Sequence, residues 1–247
     1  MNDDRTSQLS RWLYDACAVE VMSSKPGNVG PQAEFQDATV QDFLDSARVS
    51  APILAVAEQN GVGRTVFEAV SATQRAVGHN TNLGILLLLA PLAAVPLTQS
   101  LNDGIGDVLS QLTVTDAEWA YKAIRAAAPG GLGDVNTQDV RESPTETLLE
   151  CMQLAADRDL IAAQYTNGFT DVLQTGLEWL QESRRAVPEP HRIARLALQL
   201  MAEHGDSLIA RKCGTLVSEE VRRRAAIVLA DGWPETSKGC ASYQLFD

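Results

Sequence analysis

The stretch TVFEAVSATQRAV, residues 65–77, decides the fold class that this sequence predicts. Thr65 followed three residues later by Glu68 is the pattern of a capping box, in which two side chains satisfy free backbone N–H groups at a helix start. The apolar residues that follow recur at helical spacing and do not alternate as in a strand. This stretch is therefore predicted to be a packed amphipathic helix.

Comparable helix starts recur along the chain. They lie at TDAE, with Thr115 and Glu118, and at SPTE, with Ser143, Pro144 and Glu146. The predicted helices cover residues 6–23, 40–58, 65–77, 83–95, 116–128, 144–166, 169–185, 190–204 and 217–231. Two long irregular segments, 24–39 and 129–144, interrupt them, and such loops in a helical domain are usually functional or mobile. We predict an all-α fold in one globular multi-helix domain, 1–247.

Composition limits the classes of partner. The 247 residues carry a formal net charge of -12, which argues against a nucleic-acid binder because such proteins present a basic face. The first ten residues lack the basic flank and apolar centre of a signal peptide, and the longest apolar run, 83–97, is too short to span a membrane. We expect a soluble cytoplasmic protein with no membrane partner and with its four cysteines reduced.

The loop SSKPGNVGPQAEFQD, residues 23–37, follows the first predicted helix. On a helical wheel Glu20 falls at the end of an apolar stripe, beside Lys25 in this loop. A buried carboxylate needs a cation, a metal or several hydrogen-bond donors. The alternative is a glutamate at a helix end that simply reaches solvent.

The stretch CMQLAADRDLIAAQY, residues 151–165, places a second acid on an apolar face. As a continuous helix it puts Asp159 among small residues, which leave space for a ligand, while Asp157 points elsewhere. The alternative is a structural ion pair between Asp159 and an arginine such as Arg158 or Arg125.

Two further patches are polar. GHNTNLG, residues 78–84, concentrates Asn80 and Asn82 at a helix start, where backbone N–H groups bind anions or are simply capped. In HGDSLIARKCG, residues 204–214, Asp206 is predicted to cap a short helix. The neighbouring Arg211 and Lys212 either meet that helix dipole or clasp phosphate.

In this order, the blocks EVMSSKPGNV, DFLDSA, GHNTNLGILLLLAPLAA, APGGLGDV, AADRDLIAAQYTNGF and DSLIARKCG resemble the triphosphoribosyl-dephospho-CoA synthase family over residues 15–230. The resemblance implies an all-α enzyme that takes a triphosphoribosyl group from ATP, transfers it to a hydroxyl of dephospho-CoA and releases adenine. It also implies Mg²⁺ on the triphosphate.

The resemblance also implies roles for individual residues. Catalytic residues, as general base or metal ligands, are Glu20, Asp37 and Asp159, and Asp157 is a further metal ligand. Residues implied to bind the nucleotide are Lys25, Gly27, Asn28, Asn80, Asn82, Asp206, Arg211 and Lys212.

Two departures from the family pattern bear on the acceptor. The coenzyme-A branch usually carries a histidine two residues before the loop acid and NTHKG in the second block, whereas this chain has FQD at 35–37 and NTNLG at 80–84. The chain therefore looks like the divergent archaeal-type branch, and the resemblance points to methanopterin-linked one-carbon metabolism as its setting.

Two rival functions stay open. One is another ATP-using enzyme of tetrahydromethanopterin biosynthesis, which would release ADP or AMP instead of adenine. The other is a non-catalytic helical nucleotide-binding protein. The expected partners are ATP and a small-molecule acceptor, and a homodimer is possible.

Overall fold

A computed structural model describes residues 2–33, 38–130 and 137–246. Within those ranges the chain forms fourteen α-helices and no strand, which confirms the all-α prediction. The helices are α1 (Asn2–Met22), α2 (Val40–Leu54), α3 (Ala57–Asn60), α4 (Val62–Val77), α5 (Leu83–Ala93), α6 (Leu101–Ser110), α7 (Val114–Ala127), α8 (Leu148–Gln153), α9 (Leu160–Thr166), α10 (Gly176–Ala186), α11 (Arg192–His204), α12 (Ser207–Cys213), α13 (Thr215–Ala230) and α14 (Ser237–Gln244). A π-helical turn, Asp171–Thr175, leads into α10, and a 3₁₀ turn, Glu189–His191, leads into α11.

The chain forms two compact units, each assembled from separate segments. Unit 1 comprises Met1–Val19, Gln41–Asp157 and Ile161–Phe169, and unit 2 comprises Glu20–Val40, Arg158–Leu160 and Thr170–Asp247. The division falls inside three helices, α1, α2 and α9. The single cooperative domain predicted from the sequence stays a prediction.

Unit 1 is organised around the packing of α4 against α7. Small side chains make this approach close: Ala69 on α4 and Ala117 and Ala120 on α7 are fully buried. Gly63 lies at the tightest point, since a Cβ added there would come within 2.2 Å of the Asp116 carbonyl oxygen. The Gly63 N–H donates to Asp116 Oδ1 over 3.0 Å, so one carboxylate ties the start of α4 to the start of α7.

Unit 2 has its own core where α11 packs against α13. Its fully buried residues are Ala194, Leu198, Ala225, Val228 and Trp233. The Trp233 ring stacks on Tyr243 of α14 at 4.5 Å between ring centroids. Burial of these apolar groups is the main force that holds the C-terminal helices together.

The capping signals in the sequence were correct in kind but wrong in position. The capping box of α7 joins Thr113 and Asp116, two residues earlier than the predicted pair, and α8 is capped by Thr147 with Glu150 instead of Ser143. The helix that contains Thr65 begins at Val62, because Asp116 supplies the acceptor for its first turn.

The predicted helix over 144–166 was also wrong, since the chain turns between α8 and α9. The N–H of Leu160, which would bond within a continuous helix, donates instead to Ser207 Oγ over 3.2 Å. The helices α6 and α14 were not predicted from the sequence. The start of α6 does carry a capping signal, since Ser100 accepts from the N–H of Asp103.

Two further expectations concern thiols and membranes. The four cysteines are all free thiols, as predicted. Among the helices that the structure describes, none combines the length and apolar character needed to cross a bilayer.

Candidate active site

Residues 25–28, KPGN, form a tight turn directly after α1. The N–H of Asn28 donates to the Lys25 carbonyl over 3.3 Å, and Gly27 has φ +68°. Proline followed by a residue with positive φ is typical of a type II turn. A Cβ at Gly27 would meet nothing within 4 Å, so glycine is required for its backbone angle. The turn leaves Gly27 and Asn28 exposed.

Lys25 is buried, and its ammonium group is saturated by its own chain. It donates to the backbone carbonyls of Glu20 and, over 3.0 Å, of Ser23, and Glu20 Oε1 lies 3.0 Å away. An ammonium has three N–H donors, so each has a partner at the C-terminal end of α1, where carbonyls lack helical partners. The predicted proximity of Glu20 to Lys25 is confirmed. A phosphate contact by Lys25 would require one of these bonds to be exchanged.

Asn80 and Asn82, in the GHNTNLG stretch, have different environments. Asn80 Oδ1 accepts from the N–H of Leu83 over 3.1 Å and so caps α5. Asn82 is buried, 7% exposed, and its Oδ1 has no partner among the described residues. An unsatisfied buried acceptor is costly, so capping alone does not explain the second asparagine.

Ser46, in the DFLDSA block, anchors this segment. Its hydroxyl lies 2.6 Å from Thr81 Oγ1 and also donates to the Asp42 carbonyl. His79 Nε2 lies 3.9 Å from Asp42 Oδ2. These contacts hold residues 79–82 against α2, within unit 1. Local sequence patterns gave no role to Ser46 or Thr81, because their contact joins segments that are distant in the chain.

Asp157 and Asp159 lie in the break between α8 and α9. Asp157 is exposed and Asp159 is half-buried, directly before α9. The predicted placement of Asp159 on a continuous apolar helix face is therefore wrong. Ser207 holds this segment through the N–H of Leu160 and brings it to the last block. Ser207, adjacent to Asp206, therefore fixes the position of the residues before α9, a contact that local sequence patterns did not predict.

Asp206 caps α12, as predicted. Its Oδ1 accepts from the N–H of Ile209 over 2.9 Å. Its backbone N–H and carbonyl both bond to the Ser218 hydroxyl, at 3.1 and 2.9 Å. These bonds fix the start of α12 to α13.

Arg211 and Lys212 close α12 and carry no acidic partner among the described residues. Lys212 is exposed, whereas Arg211 is half-buried and its Nε is buried without an acceptor. Leaving a charged donor unsatisfied is more costly than leaving a neutral one. In a chain of net charge -12, two cations without an acidic partner are unusual.

The predicted acids do not by themselves make a metal cage. No three His, Cys, Asp or Glu side chains in the described ranges are close enough together to hold a metal ion. Glu20 is paired with Lys25. Asp37, together with FQD at 35–37, lies outside the described residues. Asp157 and Asp159 supply the oxygen atoms that Mg²⁺ prefers, but no complete ligand set.

The predicted site residues divide between the two units. Unit 2 contains Glu20, Lys25, Gly27, Asn28, Asp159, Asp206, Arg211 and Lys212, and unit 1 contains Asn80, Asn82 and Asp157. Two juxtapositions are observed within unit 2: Glu20 with Lys25, and the residues before α9 with the start of α12.

The family described as ATP:dephospho-CoA triphosphoribosyl transferase matches residues 6–247. The chain belongs to this family. The match covers nearly the whole sequence, including every block in which the candidate site residues lie. As a member of the triphosphoribosyl transferase family, the protein is an enzyme of the transferase class.

A solved structure has the same fold as this triphosphoribosyl transferase family member. It is a crystal structure from Archaeoglobus fulgidus, described as a candidate triphosphoribosyl-dephospho-CoA synthase. Its TM-score is 0.63 at 20% identity, over 82% of this chain and 87% of that chain. No curated protein sequence matches the chain.

Proposed function

We propose that this enzyme transfers the triphosphoribosyl group of ATP to a hydroxyl of dephospho-CoA, or of a similar cofactor precursor, and releases adenine. The observation that carries the proposal is the family match over residues 6–247. The bond between the ribose carbon and adenine breaks, and the same carbon bonds to the acceptor oxygen. The acceptor hydroxyl loses its proton to a base, and adenine leaves protonated.

Two unsatisfied groups support roles in nucleotide binding. The buried Asn82 Oδ1 is an acceptor suited to a ribose hydroxyl. The buried Nε of Arg211 is a donor suited to a phosphate oxygen, with Lys212 as a second cation. Charge-assisted hydrogen bonds of this kind are roughly twice as strong as neutral ones. Gly27 and Asn28 of the KPGN turn, both exposed, are also proposed to bind the nucleotide.

The carboxylates have a different task. Transfer of a ribosyl group passes through a centre with oxocarbenium character, as in glycoside hydrolysis, where one carboxylate stabilises charge and another moves a proton. Asp159 and Asp37 are proposed for these tasks. Glu20, which is paired with Lys25, is proposed with them as base or ligand.

Mg²⁺ is proposed to accompany ATP, with Asp157 and Asp159 among its ligands. Proteins usually hold this ion through one or two carboxylates together with substrate phosphates. That arrangement is compatible with the described residues, which form no cage of three acids. Bound there, the ion would neutralise phosphate charge.

The acceptor is proposed to differ from that of the coenzyme-A branch. Where that branch has His and Lys in NTHKG, this chain has Asn82 and Leu83, both buried. The change removes a cation and an imidazole, so an acceptor bound here meets a less basic surface. We propose a precursor of a tetrahydromethanopterin-type cofactor in a cytoplasmic pathway, and a homodimer stays a prediction.

The test is to incubate the purified protein with ATP and Mg²⁺, either without an acceptor, with dephospho-CoA or with a precursor of a tetrahydromethanopterin-type cofactor, and to identify the purine product by chromatography. Adenine is the expected product. Release of ADP or AMP would overturn ribosyl transfer in favour of another ATP-using reaction. ATP that binds but stays intact with both acceptor classes would favour a non-catalytic binding protein.

A further inference from the structure

A shallow cleft that is largely open to solvent and carries two arginines lies in unit 1, between α1 and α2. A cleft of about 330 Å³ is lined by Ser7, Ser10, Arg11 and Tyr14 of α1 and by Arg48 and Ala51 of α2. This volume is at the lower end of the range for small-molecule pockets. No predicted site residue lines the cleft.

The α1 residues converge because of their spacing. Ser7, Ser10, Arg11 and Tyr14 recur at the three- and four-residue intervals that place side chains on one helix face. Arg48 and Ala51 are three residues apart on α2 and share a face in the same way. The cleft is therefore a property of two regular helices.

The lining is rich in hydrogen-bond donors that the chain does not use. Within the described residues, the side chains of Ser10, Arg11 and Tyr14 have no hydrogen-bond or ion-pair partner. Arg48 pairs with Asp45, but such exposed pairs contribute little and leave other guanidinium donors available. No carboxylate lines the cleft, although acids outnumber bases by 32 to 20 in the sequence.

We propose that this α1–α2 cleft binds a small anion that carries a diphosphate group. Two guanidinium groups suit phosphate oxygens because each presents planar, paired donors. The hydroxyls of Ser10 and Tyr14 add neutral donors at the same face. The size of the cleft suits a diphosphate or a sugar diphosphate.

Inorganic pyrophosphate is the probe, and titration calorimetry measures its binding. The reference protein is the full chain with Arg211→Gln and Lys212→Gln, which removes the basic pair of the last block. Pyrophosphate is expected to bind this reference protein. Adding Arg11→Gln and Arg48→Gln is expected to weaken binding at least 10-fold, since each charge-assisted bond contributes about 1.5–3 kcal/mol.

A matched control removes two charges elsewhere in unit 1. Arg64 and Arg75 on α4 are exposed and do not line the cleft, so Arg64→Gln with Arg75→Gln is expected to leave binding unchanged. Equal weakening in both double variants would overturn the proposal in favour of non-specific attraction. Absence of pyrophosphate binding to the reference protein would also overturn it.

A milder variant covers the case in which the double substitution impairs folding. Tyr14→Phe removes one hydroxyl and is expected to weaken pyrophosphate binding about 2- to 10-fold, as one neutral hydrogen bond does. Unchanged affinity in Tyr14→Phe and in Arg11→Gln would contradict the site. Comparing pyrophosphate with ADP then distinguishes a free diphosphate from a nucleoside diphosphate. The outcome is independent of adenine release, so failure here leaves the proposed function untouched.

Discussion

Arg211 is the residue whose environment most directly indicates a ligand. Its Nε is buried and has no acceptor in the described chain, so the folded protein carries the cost of an unsatisfied charged donor. A bound phosphate would remove that cost. An anion-binding role for Arg211, proposed above, would account for this unsatisfied donor.

We predict that Arg211→Gln weakens ATP binding by about 10- to 150-fold, the loss expected for one charge-assisted hydrogen bond. Titration calorimetry measures the affinity, and circular dichroism verifies folding. Arg224→Gln is the control, because Arg224 is exposed and paired with Glu220 on α13. An unchanged ATP affinity in Arg211→Gln would leave Arg211 with a packing role only.

Lys25 has the opposite character, since its donors are all engaged. Lys25→Met retains length but removes the ammonium donor from the carbonyls of Glu20 and Ser23 and from the Glu20 carboxylate, so we predict a loss of about 1–3 kcal/mol in the free energy of unfolding. Urea denaturation measures it, with exposed Lys212→Met as a control expected to stay within about 0.5 kcal/mol. Weakened ATP binding at unchanged stability would instead assign Lys25 to phosphate.

At the scale of elements, the crossing of α4 and α7 depends on one missing side chain. A Cβ at Gly63 would lie 2.2 Å from a backbone oxygen, so Gly63→Ala must separate the helices. We predict that this substitution lowers the free energy of unfolding by about 1–3 kcal/mol, as measured by urea denaturation. Gly106→Ala in α6 is the control. Its Cβ meets nothing within 4 Å, and removing a helical glycine should stabilise by about 0.5–1 kcal/mol. Equal effects of the two substitutions would contradict this account of the crossing.

Asp231 links α13 to α14 in a manner that depends on pH. Lys238 Nζ lies 2.6 Å from one carboxylate oxygen, and the Ser242 hydroxyl donates to the other at 2.6 Å. These contacts, the lysine first, lower the pKa of Asp231 below its ordinary 3.8. A lowered pKa means that the stabilisation is complete above the unfolded pKa and is lost as pH falls through the folded value.

We therefore predict that the melting temperatures of wild type and Asp231→Asn differ most near neutral pH. The difference should shrink as the pH falls below 3.8, when the wild-type carboxylate becomes protonated. Thermal melts across that range measure it. A difference independent of pH would assign the effect of the substitution to packing and not to charge.

Contacts between residues that are close in the sequence were predicted, whereas contacts between distant segments were not. The Glu20–Lys25 contact and the Asp206 cap involve near neighbours in the chain, and both were predicted. The start of α4 depends on Asp116, and the break before α9 depends on Ser207. Those partners are distant in sequence, so local patterns missed them. The burial of Arg211 Nε likewise arises only on folding.

At the scale of the whole molecule, the two units are interleaved along the chain. The boundary is crossed five times, and three of the crossings lie within helices, in α1, α2 and α9, whereas separable domains usually meet at exposed linkers. We predict one cooperative unfolding transition. Single-tryptophan variants that retain only Trp119 in unit 1 or only Trp233 in unit 2 would report it by fluorescence in urea. Coincident curves are expected, and separate midpoints would show two independent domains.

The same interleaving constrains how the protein is made. Glu20–Val40 belongs with Thr170–Asp247 in unit 2, so the KPGN turn leaves the ribosome long before most of the other residues of its unit. At translation rates of about 5–20 residues per second, the delay is on the order of ten seconds. During that interval the N-terminal loop has no completed unit to join. The unit that contains the KPGN turn is therefore complete only after residues 170–247 have been synthesised.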